Sequence, residues 1–282
     1  MSFRLCSYNM GAGAGDYHLL CRHLNPTLIL DTKELQDKFD QDYDNAQKHV
    51  ADRLKDSAEV FFLQEVFKKD RPLLMALQQQ RFQFIHKSTK QPDGLPDCVL
   101  ALSSDFQNIE NQSAAFQGYD AAIASATHMP TGQRFTFVSA HAAGFDLDTI
   151  FPKSADDGDN YCNEIAAKVD QATAIPVFAG DINCSPEKWK ARFSPFLDRG
   201  FQLFRSNAPT NVFPKSEHYK ERELDFFLAK IPKVQTGLLS FFSSSKKVEM
   251  TMLLEDTRLS WTPQTNSLDH LPIFSRITVS QG

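Results

Sequence analysis

Short apolar runs bounded by polar and turn residues recur along the whole chain, and they set its expected architecture. Runs at 3–8, 60–64, 82–86, 98–102, 135–140 and 176–179, and later at 224–229, 248–254 and 273–279, have the length and composition of strands. Between some of them, apolar positions recur at helical spacing. Val50 and Leu54 share a face in 48–55, Leu73, Leu74 and Leu77 in 70–80, and Ile165, Ala166 and Val169 in 163–173; Pro72 is tolerated in a first turn. Many strands with a few helices predict an α/β protein with two sheets packed face to face and helices on their outer surfaces. A doubly wound sheet also alternates strand and helix, so the pattern leaves that architecture open. No internal repeat or long low-complexity linker interrupts the chain.

Several apolar runs stop at a residue able to bind a metal ion or a phosphate: Asn9, Glu65, His141, Asp181 with Asn183, Asp225, and Asp269 with His270. Strand ends on one rim of a sheet converge even when far apart in sequence. Buried carboxylates there need partners, and a bound cation is a natural one. Each residue also has a plainer reading. Asn9 suits a turn, His141 a satisfied structural histidine, and Asp181 with Asn183 an Asx turn or helix cap. Asp269 and His270 suit an ordinary loop. Glu65, directly after Val-Phe-Phe-Leu-Gln, and Asp225, against Phe-Phe-Leu-Ala, are harder to dismiss, because an unpaired carboxylate beside such runs is costly.

Composition narrows the function classes. The 282 residues allow one large domain or two small ones, and the 24 phenylalanines suggest an aromatic-rich core. A net charge of −5 weakens the case for tight duplex nucleic-acid binding and leaves small phosphorylated substrates open. The 5 cysteines are odd in number and show no CxxC pair, which favours free thiols in a reducing compartment over zinc or disulfides. No apolar run reaches the roughly 20 residues that span a bilayer, and the N-terminus reads as a strand rather than a signal peptide. The expected location is cytoplasmic, with export by another route as the alternative. The Gly-Ala alternation at 11–15 lacks the lysine of a nucleotide-binding loop and reads as a turn.

Taken together and in order, the segments SYNM at 7–10, FLQEV at 62–66, SAHAAG at 139–144, FAGDINCSP at 178–186, ELDFF at 223–227 and LDHLPI at 268–273 resemble the endonuclease/exonuclease/phosphatase superfamily. That group includes deoxyribonucleases, inositol polyphosphate 5-phosphatases, neutral sphingomyelinases and deadenylases. The resemblance implies a four-layer α/β/β/α sandwich formed as a single domain over 1–282. It also implies a magnesium-dependent phosphoesterase, with Mn2+ able to substitute. By the same resemblance Glu65, Asn9 and Asp269 are metal ligands. Asp181 activates the attacking water, Asn183 supports it or a phosphate oxygen, and His270, oriented by Asp225, contacts the scissile phosphate. His141 donates to a phosphate oxygen or to the leaving group. Two departures stand out: Leu268 occupies the usual place of a small hydroxyl residue, and Ala-Ala-Gly follows His141 in place of a bulky apolar residue.

The expected partner is a phosphorylated small molecule, a nucleotide or a lipid head group. The competing reading is a DNA or RNA nuclease, for which Lys68, Lys69 and Arg71, with Lys188, Lys190 and Arg192, are basic candidates flanking the site; a solvated helix face explains them equally well. A catalytically silent binding module is a third reading, which the intact polar set opposes. Phe241 and Phe242 with Lys246 and Lys247 suggest a loop able to touch a membrane surface, or one packed on the core.

Overall fold

The computed structural model describes residues 1–11, 33–69, 71–89, 94–142, 154–184, 189–206, 209–211, 223–232, 248–255, 268 and 270–281. Its first half runs β1 (Ser2–Asn9), α1 (Lys33–Leu54), β2 (Val60–Gln64), α2 (Pro72–Gln79), β3 (Gln83–Ile85), β4 (Val99–Leu102), β5 (Phe106–Asn111), β6 (Ala114–Phe116), β7 (Tyr119–His128) and β8 (Gln133–His141). The second half runs α3 (Ser154–Asp170), β9 (Ile175–Asp181), α4 (Trp189–Leu197), β10 (Gln202–Phe204), β11 (Asp225–Ala229), β12 (Val248–Glu255) and β13 (Ile273–Gln281). One sheet has the order β12-β13-β1-β2-β4-β3 and the other β10-β11-β9-β8-β7-β5, with β6 paired to β7. Both are mixed: β1 and β2 pair in parallel, as do β8 and β9, while their outer neighbours are antiparallel.

Side-chain alternation along the strands builds the layers. In β1, Phe3 and Leu5 enter a core shared by the two sheets, whereas Cys6 and Tyr8 pack with Val50 and Leu54 of α1 and Leu73 of α2. In β9, Val177 and Ala179 join the shared core, while Phe178 packs with Ile165 of α3 and Phe193 of α4. Helices therefore cover the outer face of each sheet. The central strands are buried on both faces, which is why β2, β4 and β11 read as continuous apolar runs. Phenylalanines fill the space between the sheets. Phe62 meets Phe137 and Phe227 edge-on at 5.9 Å each, and Phe3 meets Phe106 and Phe135 at 5.4 and 5.1 Å. Burying each such ring contributes about 1.5–3 kcal/mol.

The structure extends the pattern-based reading at specific places. α1 begins at Lys33 rather than 48: charged residues dilute its first turns, but Leu35, Phe39 and Tyr43 recur there every fourth residue and lead into the stripe of Val50 and Leu54. The run β5 to β7 carries no strong sequence signal. β5 has an exposed face, and β7 is an alanine-rich strand, Tyr-Asp-Ala-Ala-Ile-Ala-Ser-Ala-Thr-His, whose small side chains are buried because Ala122, Ala124 and Ala126 enter the core between the sheets while Ala121 and Ile123 pack in the outer layer with Ile165 of α3. Cys6, Cys98, Cys162 and Cys184 are buried free thiols; burial pushes that of Cys162 up to about 12. Cys21, the loop bearing Phe241 and Phe242 with Lys246 and Lys247, and positions 12–15 of the Gly-Ala alternation lie outside the described residues. Among the described residues no helix is long and apolar enough to cross a membrane.

Candidate active site

Strand register assembles the site. Asp181, the last residue of β9, stands opposite His141 of β8 on one side and Asp225 of β11 on the other. In the facing sheet Asn9 ends β1 opposite Gln64 of β2. One layer deeper the polarity drops. Gln64 donates from Nε2 to Ser139 Oγ at 2.9 Å, and Ser139 donates to the Leu63 carbonyl at 3.0 Å, tying the two sheets together beneath the site. Below that the facing positions are Leu5, Phe62, Phe137 and Phe227. Inward-facing positions thus pass from apolar to polar toward one end of the sandwich.

Asn9 joins the sheets at the site itself. Its Nδ2 donates to Glu65 Oε1 and to Asp181 Oδ2, both at 3.0 Å, while its Oδ1 accepts the Gly11 N–H at 2.9 Å. Glu65 leaves β2 with φ 53°, and Asn183 follows Asp181 with φ 47°. Asparagine tolerates that region; for glutamate it costs about 1–2 kcal/mol, held in place by the hydrogen bond from the Glu65 N–H to Asp97 Oδ1 at 2.7 Å. Gly180 is required where it stands. Its φ is 155°, and a Cβ there would lie 1.8 Å from the Ala140 carbonyl oxygen of the neighbouring strand.

Each histidine has a polar neighbour at both ring nitrogens. His141 donates from Nδ1 to Asp97 Oδ2 at 2.8 Å, and its Nε2 faces Asn183 Nδ2 at 2.9 Å. His270 donates from Nδ1 to Asp225 Oδ2 at 3.0 Å, and its Nε2 faces Asn211 Nδ2 at 2.9 Å. Both Nε2 atoms also approach Asp181 Oδ2, at 3.9 Å from His141 and 3.4 Å from His270. Burial lowers the His141 pKa, but Asp97, with Glu65 and Asp181 behind it, outweighs burial and holds the ring well above its ordinary value. An imidazolium there would turn its second N–H toward Glu65 Oε1, 3.7 Å away. Burial raises the Asp181 carboxyl pKa, His270 and His141 opposing it and Asp225 adding to it. Asp181 also accepts the Asn183 N–H on Oδ1 at 2.7 Å, so its lone pairs are aimed by backbone and amide donors.

The structure therefore brings Asn9, Glu65, His141, Asp181, Asn183, Asp225 and His270 together. Asp269 lies outside the described residues. Sequence reading missed Asp97, Thr210 and Asn211. Asp97 immediately precedes the apolar run of β4, which pairs antiparallel with β2, so the start of one strand meets the end of the other beside Glu65. That flanking position was its only signal. Thr210 and Asn211 carried none. The basic candidates are used differently from the expectation. Arg71 is buried and donates to the Gly11 carbonyl at 2.7 Å and to Tyr43, and Arg192 is buried, donating to the Ile182 carbonyl at 3.0 Å and to Asp159. Both brace the loops that carry site residues and face inward. Lys68 and Lys69 are exposed. Lys188 and the Lys190 side chain lie outside the described residues.

The donor set suits a hard cation. Oxygen ligands dominate, and Asp225 Oδ1 is buried with no hydrogen-bond partner among the described residues. Asp181, Asp225 and His270 place possible ligand atoms within 4.8 Å of one another. Asp225 Oδ2 accepts from His270 Nδ1, while Glu65 and Asp181 are two carboxylates linked through the neutral amide of Asn9.

The backbone path, two face-to-face mixed sheets with helices outside, is shared with solved structures. An endonuclease/exonuclease/phosphatase protein from Bacteroides vulgatus superposes with a TM-score of 0.63, covering 99% of this chain and 100% of that one at 13% identity. This is the endonuclease/exonuclease/phosphatase fold. D. rerio TDP2 complexed with a single-stranded DNA product matches with a TM-score of 0.61 at 15% identity, over 99% of both chains. ANGEL2, described as a 2',3'-cyclic phosphatase, matches with a TM-score of 0.61 at 13% identity, over 98% of this chain and 95% of that one. No family model matches the chain, and no curated protein matches it in sequence. The endonuclease/exonuclease/phosphatase likeness thus rests on short motifs and on the backbone path, with little identity between them.

Proposed function

We propose that this protein is a divalent-metal-dependent phosphoesterase. The observation that carries this reading is the register of Asp181 between His141 and Asp225, with Asn9 linking it to Glu65 across the sheets. Asp181 accepts a proton from the attacking water as the water oxygen bonds to phosphorus. Burial raises its proton affinity, which suits a general base. His270, aligned by Asp225, and His141, aligned by Asp97, turn their Nε2 atoms toward the non-bridging oxygens. As the phosphorus–oxygen bond to the leaving group breaks, one of these rings returns a proton to the departing oxygen. Asn183 fixes Asp181 through its N–H.

Glu65, Asp269 and, through its clamp on Glu65, Asn9 are the residues we assign to the metal. Magnesium, which manganese can replace, matches their hard oxygen donors and supplies charge neutralisation on the phosphoryl group. The preferred substrate is a small phosphoester, a nucleotide or a lipid-linked phosphate. The single-stranded DNA product bound by TDP2 and the cyclic phosphatase description of ANGEL2 make nucleotide ends a natural subset. A nuclease acting on long nucleic acid is less favoured, because Arg71 and Arg192 are spent on carbonyls inside the protein. The four buried free thiols suit a reducing, cytoplasmic setting.

The test is a panel screen with magnesium, in which bis(p-nitrophenyl) phosphate, nucleotides, phosphoinositides, sphingomyelin, RNA and plasmid DNA are offered to the wild type and to Glu65→Ala and His270→Ala. Hydrolysis of at least one substrate, abolished by EDTA and lowered by orders of magnitude in both variants, is the expected result. Full activity in chelator, or near-wild-type activity in both variants, overturns the reading.

A further inference from the structure

Residues Thr210 and Asn211 knit two parts of the site. Thr210 Oγ accepts the N–H groups of Leu224 and Asp225 at 3.0 and 3.2 Å, and its carbonyl accepts the Leu271 N–H at 2.9 Å. Asn211 forms a backbone bridge with His270. The pair therefore holds the start of β11, with Asp225, against the segment bearing His270. Asn211 is 4% exposed, as is His270, and its Nδ2 lies 2.9 Å from His270 Nε2, the ring nitrogen Asp225 does not use.

The same arrangement occurs across the site. There Asp97 holds His141 Nδ1 and Asn183 Nδ2 stands 2.9 Å from Nε2. Two Asp–His–Asn rows thus end on either side of Asp181 Oδ2, their Nε2 atoms 3.9 and 3.4 Å from it. Asn183 belongs to the site by the sequence resemblance; Asn211 stands in the equivalent relation to the second histidine with no motif to mark it.

We propose that Asn211 is a phosphoryl-binding residue, whose amide N–H donates to the same non-bridging oxygen that docks against His270 Nε2. The inference rests on the phosphoesterase reading and deepens it. An oxygen placed to accept a hydrogen bond from Nε2–H lies close to a second donor, Asn211 Nδ2, 2.9 Å from that nitrogen. An amide supplies this donor without adding charge beside Asp181 and Asp225. A positive side chain would pair with those carboxylates, and a negative one would repel the phosphate. Removing one such donor from an oxyanion site typically costs 10²–10³-fold in kcat.

The experiment compares wild type, Asn211→Ala, Asn211→Asp and His270→Ala with the double variant Asn211→Ala/His270→Ala. It measures inorganic phosphate binding in magnesium by calorimetry and kcat and KM on bis(p-nitrophenyl) phosphate. Asn211→Ala is expected to lower kcat about 10²-fold, to weaken phosphate binding about tenfold, and to leave the melting temperature within a few degrees. Asn211→Asp should be worse on both. The double variant decides between touching phosphate and merely positioning His270. A further loss of phosphate affinity when Asn211→Ala is added to His270→Ala supports the proposal. No further loss, or a folded Asn211→Ala with unchanged phosphate affinity and kcat, overturns it. If the wild type hydrolyses nothing in the panel, the phosphoesterase reading fails, while the phosphate-binding arm still judges Asn211.

Discussion

Replacing Asp181 with asparagine should lower turnover by orders of magnitude while making the metal-free protein relatively more stable as pH rises. The side chain keeps its size, and an amide oxygen can still accept the Asn183 N–H now 2.7 Å from Oδ1. The bond from Asn9 Nδ2, 3.0 Å from Oδ2, then faces an amide nitrogen and is lost, a cost of about 1.5–3 kcal/mol for a charge-assisted bond. Against this stands the buried charge, whose folded-state pKa is raised above the unfolded value of about 3.9, burial being the largest cause. Below the unfolded value Asp181 is protonated in both states and contributes nothing. As pH rises toward the folded value, the unfolded chain gives up its proton first, so stability falls by up to about 1.4 kcal/mol per pH unit. Above the folded value the loss is complete and constant. The variant lacks this term. Between about pH 4 and pH 6 an ordinary histidine is protonated in the unfolded chain, and His141, held above its ordinary value, is protonated in the fold as well. Asp181 then dominates the difference there. The assay is thermal unfolding of both proteins in EDTA across pH 4 to 8, with turnover on bis(p-nitrophenyl) phosphate in magnesium. The melting-temperature difference should move in the variant's favour with rising pH, by about 2–4 °C per kcal/mol, and turnover should drop about 10²–10⁴-fold. A difference that is flat in pH or drifts toward the wild type would refute the account of the buried charge; retained turnover would remove Asp181 from its role as base.

Three further outcomes are expected. Gly180→Ala should destabilise by about 3 kcal/mol or more, or fail to give soluble protein, because its Cβ would sit 1.8 Å from the Ala140 carbonyl oxygen; chemical denaturation checks it. Asp97→Asn must leave either the Glu65 N–H or the His141 Nδ1–H facing an amide nitrogen, so kcat should fall about 10²-fold and the His141 pKa should drop, as read by NMR titration. Saturating magnesium, at about a hundred times its Kd, should stabilise the wild type by about 2.7 kcal/mol and Glu65→Ala by far less, measured by unfolding with and without EDTA.

The legible part of the site consists of residues that bound apolar runs, at their ends or, for Asp225, at the start. Asn9, Glu65, Asp181 and Asp225 each adjoin a strand buried on both faces, so the change from apolar to polar marks them in the one-dimensional string. Asp97 was marked only weakly, by preceding such a run. Asn211 sits in a segment with no periodicity, and its importance comes from a bridge to His270, 59 residues away. The helix over 72–79 was legible from its apolar stripe, and that over 154–170 only in its second half, read as 163–173, because its first turns are mostly polar; β5 and β7 were not legible: one is an edge strand with an exposed face, and the other is buried but built of small residues.

The chain's own order of apolar and polar residues determines which segments become strands and which of their ends carry acid, amide or imidazole groups, since those choices depend on side-chain period and local desolvation. Only the tertiary structure decides that β9 lies between β8 and β11. That placement sets Asp181 in register with His141 and Asp225, brings Asn9 across from the other sheet, and gives each histidine a carboxylate on one nitrogen and an amide on the other. Pairing partners and register are properties of surfaces meeting in space, fixed by the burial of both faces at once, and no single segment carries that information.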